Sequence, residues 1–205
     1  VFSQQVDVYQ ERYLEHQARK RESISGKPQM DAEVRCALFG ILRARKSQRI
    51  FSEAEITEVE LNQIYEAIRL SPSSCNRQAI LVKPVTEERE KAELDCLLVG
   101  GKNWLGGAQI ILLLFADMLA YKSPAERDFM PYLDAGFVGE NVYLAATALN
   151  IGACFVNPNI RKEDRGQFDR QFNPRGLQFC GAMALGKYTV SAPESPKRKL
   201  ERIFY

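Results

Sequence analysis

Ser71-Pro72-Ser73-Ser74-Cys75-Asn76-Arg77-Gln78 separates an amphipathic segment from the apolar run Ala79-Ile80-Leu81-Val82. Before it, Thr57 and Glu60 stand at capping-box spacing, and Leu61, Ile64, Tyr65, Ile68 and Leu70 recur at helical intervals. Pro72 lacks an N–H and steers its predecessor away from helical geometry, so the helix has to stop here. The order predicted is helix, polar corner, then a strand over residues 79–83 ahead of Pro84. The corner gathers several short polar side chains in one tight connection. A plain turn uses such residues, and so does a ligand held by shape and hydrogen bonds; these eight residues leave both open.

Downstream, Thr86 is placed to cap a helix with Ala92, Leu94, Leu97 and Leu98 inward, ending at Gly100-Gly101. A loop with Trp104 leads to residues 109–116, whose almost unbroken apolar character predicts a strand covered on both faces. Residues 118–130 read as a surface connection around Pro124. A helix over residues 132–150 follows, with a face of Leu133, Phe137, Val138, Asn141, Leu144, Ala145, Ala148 and Leu149. Residues 153–156 predict a short strand, 162–172 a short charged helix, 182–188 a last strand and 192–205 a basic tail. Upstream, residues 4–22 form a thin-faced helix, a peripheral or partner-wrapping arm, broken at 23–31. A second helix runs over residues 32–43.

Arg45-Lys46-Ser47-Gln48-Arg49 then leads to Ile50-Phe51. An extended segment has period two, which puts Arg45, Ser47 and Arg49 on one side. Two guanidinium forks around a hydroxyl suit a phosphate. A solvated basic face ahead of a core anchor at Phe51 uses the same residues.

A chain of 205 residues and 23.3 kDa, 45% hydrophobic and 26% charged, is ordinary for one soluble globular domain. A formal charge of +2 does not itself imply nucleic-acid binding; Lys and Arg concentrate locally at residues 19–21, 43–49 and 197–202. Five scattered cysteines form no Cys-x-x-Cys pattern and suit reduced thiols in a cytoplasmic setting. The single histidine, His16, argues against a multi-histidine zinc site and a Ser-His-Asp triad; no metal is expected. The opening is polar after Val1-Phe2, and the apolar run 110–116 is too short for a membrane span, so neither a leader nor a membrane partner is expected.

In this order, Arg45-Lys46-Ser47-Gln48-Arg49-Ile50-Phe51, the 71–78 corner, Asp134-Ala135-Gly136, Asn141 with Leu144-Ala145-Ala146, Gly152-Ala153-Cys154 and Leu185-Gly186-Lys187-Tyr188 before a Lys/Arg-rich tail resemble the FMN-dependent nitroreductase family. The resemblance covers about residues 37–205 and leaves residues 1–36 as a helical extension or dimer-wrapping arm. It implies an α+β fold, a mainly antiparallel sheet surrounded by helices in an interlocked homodimer, with FMN at the subunit boundary. It assigns Arg45, Ser47 and Arg49 to the phosphate and ribityl end. Pro72, Ser73, Ser74 and Asn76, from the other subunit, go to the flavin neighbourhood, and Gln78 to the same wall. Phe155, Val156 and Asn157 would pass along the ring, and Lys197 and Arg198 would help neutralise the phosphate.

The activity implied is NADH- or NADPH-dependent reduction of a small electron acceptor by a ping-pong mechanism: a nitroaromatic, a quinone or an activated alkene. No nucleic-acid partner is implied, and no catalytic side chain is assigned, because the cofactor carries the chemistry. The chain departs from the family pattern at Gln78-Ala79-Ile80, Glu140, Asn157 and Gln109. Those departures keep two alternatives in view, a flavin-binding structural or regulatory protein with little turnover and a specialised reductive dehalogenase. Trp104 reads as a packing aromatic or a pocket wall, Lys102 as solvated, Cys75 as a packing neighbour, Asp134 as a partner of local groups near its helix start, and Asn141 as a bridge between segments.

Overall fold

The computed structural model describes residues 30–204, so the arm predicted at residues 4–22 and His16 lie outside the described residues. The chain divides into two units between Phe39 and Gly40. Of the first unit, residues 30–39 are described and open the helix α1 (Ala32–Ala44). The remaining helices are α2 (Glu58–Arg69), α3 (Glu88–Leu97), α4 (Pro124–Ala148) and α5 (Arg165–Phe172). The strands are β1 (Ile80–Val85), β2 (Ile110–Ala116), β3 (Gly152–Val156) and β4 (Gln178–Gly186).

The four strands form one sheet in the order β1-β2-β4-β3, every neighbouring pair antiparallel. All seven residues of β2 are buried because the strand faces two cores. Ile110, Leu112, Leu114 and Ala116 pack with Ile64 of α2 and Ala135, Val138, Val142 and Ala146 of α4. Ile111, Leu113 and Phe115 pack with Leu94 and Leu97 of α3 and with Phe168 and Phe172 of α5. The expected two-sided strand and α+β class are both present.

Several local expectations change. β1 runs through Pro84, which an edge strand tolerates because one side of its backbone needs no partner. Thr86 does not cap α3: the N-cap is Glu87, which makes no side-chain cap bond. Ala92 is exposed, and Lys91 is buried on that helix instead, donating to the Glu88 carboxylate (2.7 Å) and the Ala108 carbonyl (2.9 Å). The last strand spans Gln178–Gly186, four residues earlier in start than the pattern suggested.

The largest correction concerns residues 118–130. Ser123 and Glu126 form a capping box with Pro124 at the first position, so α4 begins there and continues for 25 residues, through Pro131. Its buried residues are Pro131, Asp134, Ala135, Val138, Gly139, Val142 and Ala146, while Leu133 and Phe137 of the expected face are exposed.

Gly181 shows how tightly α4 and the sheet are fitted. At the β2–β4 bulge its φ is +138°, and a Cβ there would lie 2.5 Å from the Phe155 ring and 2.9 Å from the Val156 carbonyl oxygen. The Phe155 ring therefore occupies the space that glycine leaves, with Gly139 of α4 on its other side. Gly181→Ala combines backbone strain with overpacking and is expected to destabilise the fold by about 3 kcal/mol, read by urea unfolding.

The predicted capping box at α2 is present, and its Glu60 has a second duty. One carboxylate oxygen accepts from the Thr57 N–H (2.9 Å), and the other pairs with Lys187 Nζ (2.5 Å), tying the helix start to the end of β4. The hydrogen bond from Lys187, then those from Thr57, lower the Glu60 carboxyl from 4.5 to about 2. A depressed acid stabilises the folded chain fully above its unfolded value, and that contribution is lost as pH falls toward the folded value. Between pH 4.5 and about 2, Glu60→Gln is therefore expected to flatten the acid limb of a stability-versus-pH curve, and to lower stability at pH 7.

Candidate functional site

Helix α4 holds one half of the predicted site through Asp134. This side chain is fully buried. One oxygen accepts from the Ser74 N–H (2.9 Å) and Ser74 hydroxyl (2.8 Å), and the other accepts from the Tyr121 hydroxyl (2.9 Å). Burial first, then the hydrogen bond and charge of Asp134, push the Tyr121 hydroxyl above its usual range. Asp134 lies eleven residues into α4, so its role is long-range and not at the helix start as expected.

The corner itself is a short 3-10 turn, Ser74–Asn76. Cys75, Asn76 and Gln78 all have positive φ, at 52°, 54° and 51°. The Gln78 N–H donates to the Ser73 hydroxyl oxygen (2.9 Å), and the Gln78 amide donates to Asn76 Oδ1 (3.2 Å). A cleft of about 170 Å³ opens here, with Pro72, Ser73, Gln78, Ile80 and Val138 among its lining residues. Both donors of Ser74 are taken by Asp134; Pro72, Asn76 and Gln78 are exposed.

The cationic stretch lies elsewhere, against β3. The Gln48 N–H donates to the Ala153 carbonyl (2.9 Å), and Ser47 forms a parallel bridge with Ala153. Alternation then sorts the side chains. Arg45 stands over the Tyr143 ring, 5.1 Å from its centroid, and Arg49 over the Trp104 ring at 5.6 Å. Ser47 and Tyr143 hydroxyls are 3.2 Å apart, and the Tyr143 oxygen accepts the Phe155 N–H at 2.8 Å. Burial pushes the Cys154 thiol up, against an opposing pull from the charges of Arg49 and Arg45. Both charges thus act on the strand expected to run beside the flavin.

Lys46 and Gln48 face the other way. Gln48 is buried; its amide donates to the Val190 carbonyl (2.9 Å) and accepts from the Ala192 N–H (2.7 Å). Lys46 reaches Ser191 at 3.4 Å. The beginning of the basic tail is therefore pinned beside residues 45–49. Lys197 and Arg198 follow it and are exposed, as is Asn157 at the end of β3.

The structure brings Arg45, Ser47 and Phe155 together around Tyr143 and sets Arg49 over Trp104. It does not bring them to the serine corner within one chain. The corner precedes β1 and the cationic stretch flanks β3, the two outer strands of the sheet, about 14 Å apart across three strand spacings. Gln48 and Tyr143 were not singled out from sequence. The parity that placed the two arginines on one side also placed Gln48 on the other, facing inward. Tyr143 carried no local signal, because its partners are 96 and 12 residues away.

The model of the Nitroreductase family matches residues 42–99 and 85–187. The chain is 30% identical over 112 residues to a Bacillus subtilis protein named FMN reductase [NAD(P)H]; this is 54% of the chain and 44% of that protein, so the chain spans less than half of that relative's length. A nitroreductase-like protein of Desulfovibrio desulfuricans, crystallised in complex with FMN, has the same fold: TM-score 0.70 at 23% identity over 88% of this chain and 96% of that one. The nitroreductase CinD of Lactococcus lactis, in complex with nicotinic acid, superposes with a TM-score of 0.67 at 19% identity, over 82% and 97% of the two chains.

The Asp134 hub is specific to side chains seen here and can be tested by itself. Asp134→Ala strands three buried donors and is expected to cost about 3 kcal/mol or more. Asp134→Asn keeps an acceptor for Ser74 and offers its amide to the Tyr121 oxygen, so urea unfolding should show a clearly smaller loss.

Proposed function

Because the chain belongs to the nitroreductase family, we propose that it is an FMN-dependent oxidoreductase drawing electrons from NADH or NADPH and passing them to a small acceptor, a nitroaromatic, a quinone or an activated alkene. One observation carries this reading. Arg45 stands over the Tyr143 ring whose hydroxyl meets Ser47, Arg49 stands over the Trp104 ring, and among the described residues neither guanidinium is paired with a carboxylate. A phosphate monoester asks for cationic forks and a hydroxyl, which is the set present. The names of the Bacillus relative and the FMN complex of the Desulfovibrio protein support the same cofactor.

FMN held there would supply the redox chemistry, and no charged protein base is required of these residues. The residues bind and orient. Arg45, Ser47 and Arg49 hold the phosphate and ribityl end, and the tail pinned by Gln48 adds Lys197 and Arg198. Backbone groups of Phe155, Val156 and Asn157 run beside the ring. Pro72, Ser73, Ser74, Asn76 and Gln78 close the far wall from a second copy of the chain, with Ser74 set in position by Asp134. The separation of corner and cationic stretch in one chain supports a homodimer. NADH or NADPH and the acceptor would use the same site in turn, a ping-pong order. All five cysteines are free thiols, which supports a reducing, cytoplasmic setting.

Replacing Arg45 and Arg49 together with Ala is expected to weaken FMN binding on the order of 100-fold or more, since charge-assisted hydrogen bonds contribute about 1.5–3 kcal/mol each. Neither residue lies in the apolar core, so the melting temperature of the flavin-free variant should stay close to that of the flavin-free parent chain. Absorbance of the purified double variant measures retained flavin; a full complement of FMN would overturn the assignment.

A further inference from the structure

Among the described residues, several arginines are held by carboxylates. Arg77 pairs with Glu126 at 3.1 Å, Arg89 with Glu93 at 3.2 Å, Arg161 with Asp164 at 2.6 Å and Arg165 with Asp169 at 3.0 Å. Arg45 and Arg49 are held differently, each over an aromatic ring. The difference matters chemically. A carboxylate takes up the in-plane N–H donors of the fork and cancels its charge, so an incoming phosphate must displace it. A ring attracts the guanidinium through its π face and leaves the edge donors free.

From this geometry we propose that Tyr143 and Trp104 are positioning residues that hold Arg45 and Arg49 ready for a phosphate monoester without competing for them. The proposal rests on the reading that this phosphate belongs to a flavin. Each ring is itself fixed. The Trp104 indole N–H donates to the Gly100 carbonyl (3.0 Å), and the ring packs against the core beneath α3. The Tyr143 hydroxyl accepts the Phe155 N–H and contacts Ser47, so one side chain sets an arginine, a hydroxyl and the edge of β3 together. Arg45 and Tyr143 are both partly buried, a setting in which a cation–π contact is stronger than at an exposed site, whereas Arg49 over Trp104 is exposed.

The test compares FMN with riboflavin, the same ring system lacking the phosphate. Dissociation constants are measured on apo-protein by flavin fluorescence, with the emission of Trp104, the single tryptophan, as a second signal where it is retained. The quantity read is the ratio of riboflavin to FMN dissociation constants, in which effects on the ring side and on the folded fraction cancel. Tyr143→Leu should lower that ratio roughly 5- to 20-fold, and Trp104→Leu, whose arginine is exposed, roughly 2- to 5-fold. Trp104→Phe and Tyr143→Phe, which keep an aromatic face, should restore most of it. If a Leu variant does not fold, Met, also flexible and non-aromatic, replaces it. Leu and Phe variants with the same ratio, or Leu variants with the parent ratio, would overturn the positioning role while leaving the flavin assignment standing. A parent chain that binds neither flavin, or binds both equally, would overturn the phosphate reading and this inference with it.

Discussion

Helix α4 carries two polar side chains that its length holds apart, and the organisation of the candidate site depends on that spacing. Asp134 and Tyr143 are nine residues apart on one helix, about 13 Å along its axis. Asp134 fastens the corner that leads into β1, and Tyr143 fastens the stretch beside β3. The rest of the inner surface of α4 is apolar or small, packed on the central strands by Ala135, Val138, Val142 and Ala146. A helix so placed cannot shift toward one edge without breaking a buried hydrogen-bond set at the other. The sheet is spanned by a rigid strut with a polar clamp near each side.

The two clamps differ in what they leave available. At the corner, Asp134 satisfies the Ser74 donors completely, which fixes a turn containing three positive-φ residues. Such backbone is held only where its surroundings determine it, and here the determinant is a buried carboxylate. Beside β3, the hydroxyl of Tyr143 meets an edge N–H that would otherwise be unpaired, while its ring supports Arg45 from beneath. One clamp uses up donors to hold a shape. The other holds a shape and leaves donors over.

Patterns with a local cause were legible in the sequence. The Thr57–Glu60 box and the two-sided β2 each follow from spacing within a few residues, and both are found. Asn141 bridges segments as read, donating to the Ala67 carbonyl of α2 at 3.1 Å. The start of α4 was legible too, since Ser123-Pro124-Ala125-Glu126 is a capping box with proline at the first position. Pro124 marks the first position of that helix and not a surface connection. Pro131 survives inside the helix because it is buried in packing that offsets its missing N–H. Ser74 with Asp134, and Ser47 with Tyr143, are pairs 60 and 96 residues apart. No local rule selects them, because only the sheet order brings them together.

An apolar stripe on α4 was expected to include Leu133 and Phe137, and those residues are apolar; they simply point outward. Phe129, Tyr132, Leu133 and Phe137 are 53%, 44%, 45% and 38% exposed, while Pro131, Ala135, Val138 and Val142 are buried on the other side. A helix apolar around most of its circumference is ordinarily covered on most of its circumference. The sheet covers one side, and the aromatic-rich side is left over on the same helix that sets the two half-sites apart. A second copy of the chain, laid on that side, would cover the surplus, and a corner and a cationic stretch that one chain keeps on opposite edges call for a second chain as well. The proposed homodimer therefore answers two separate features of α4, its outer surface and its span.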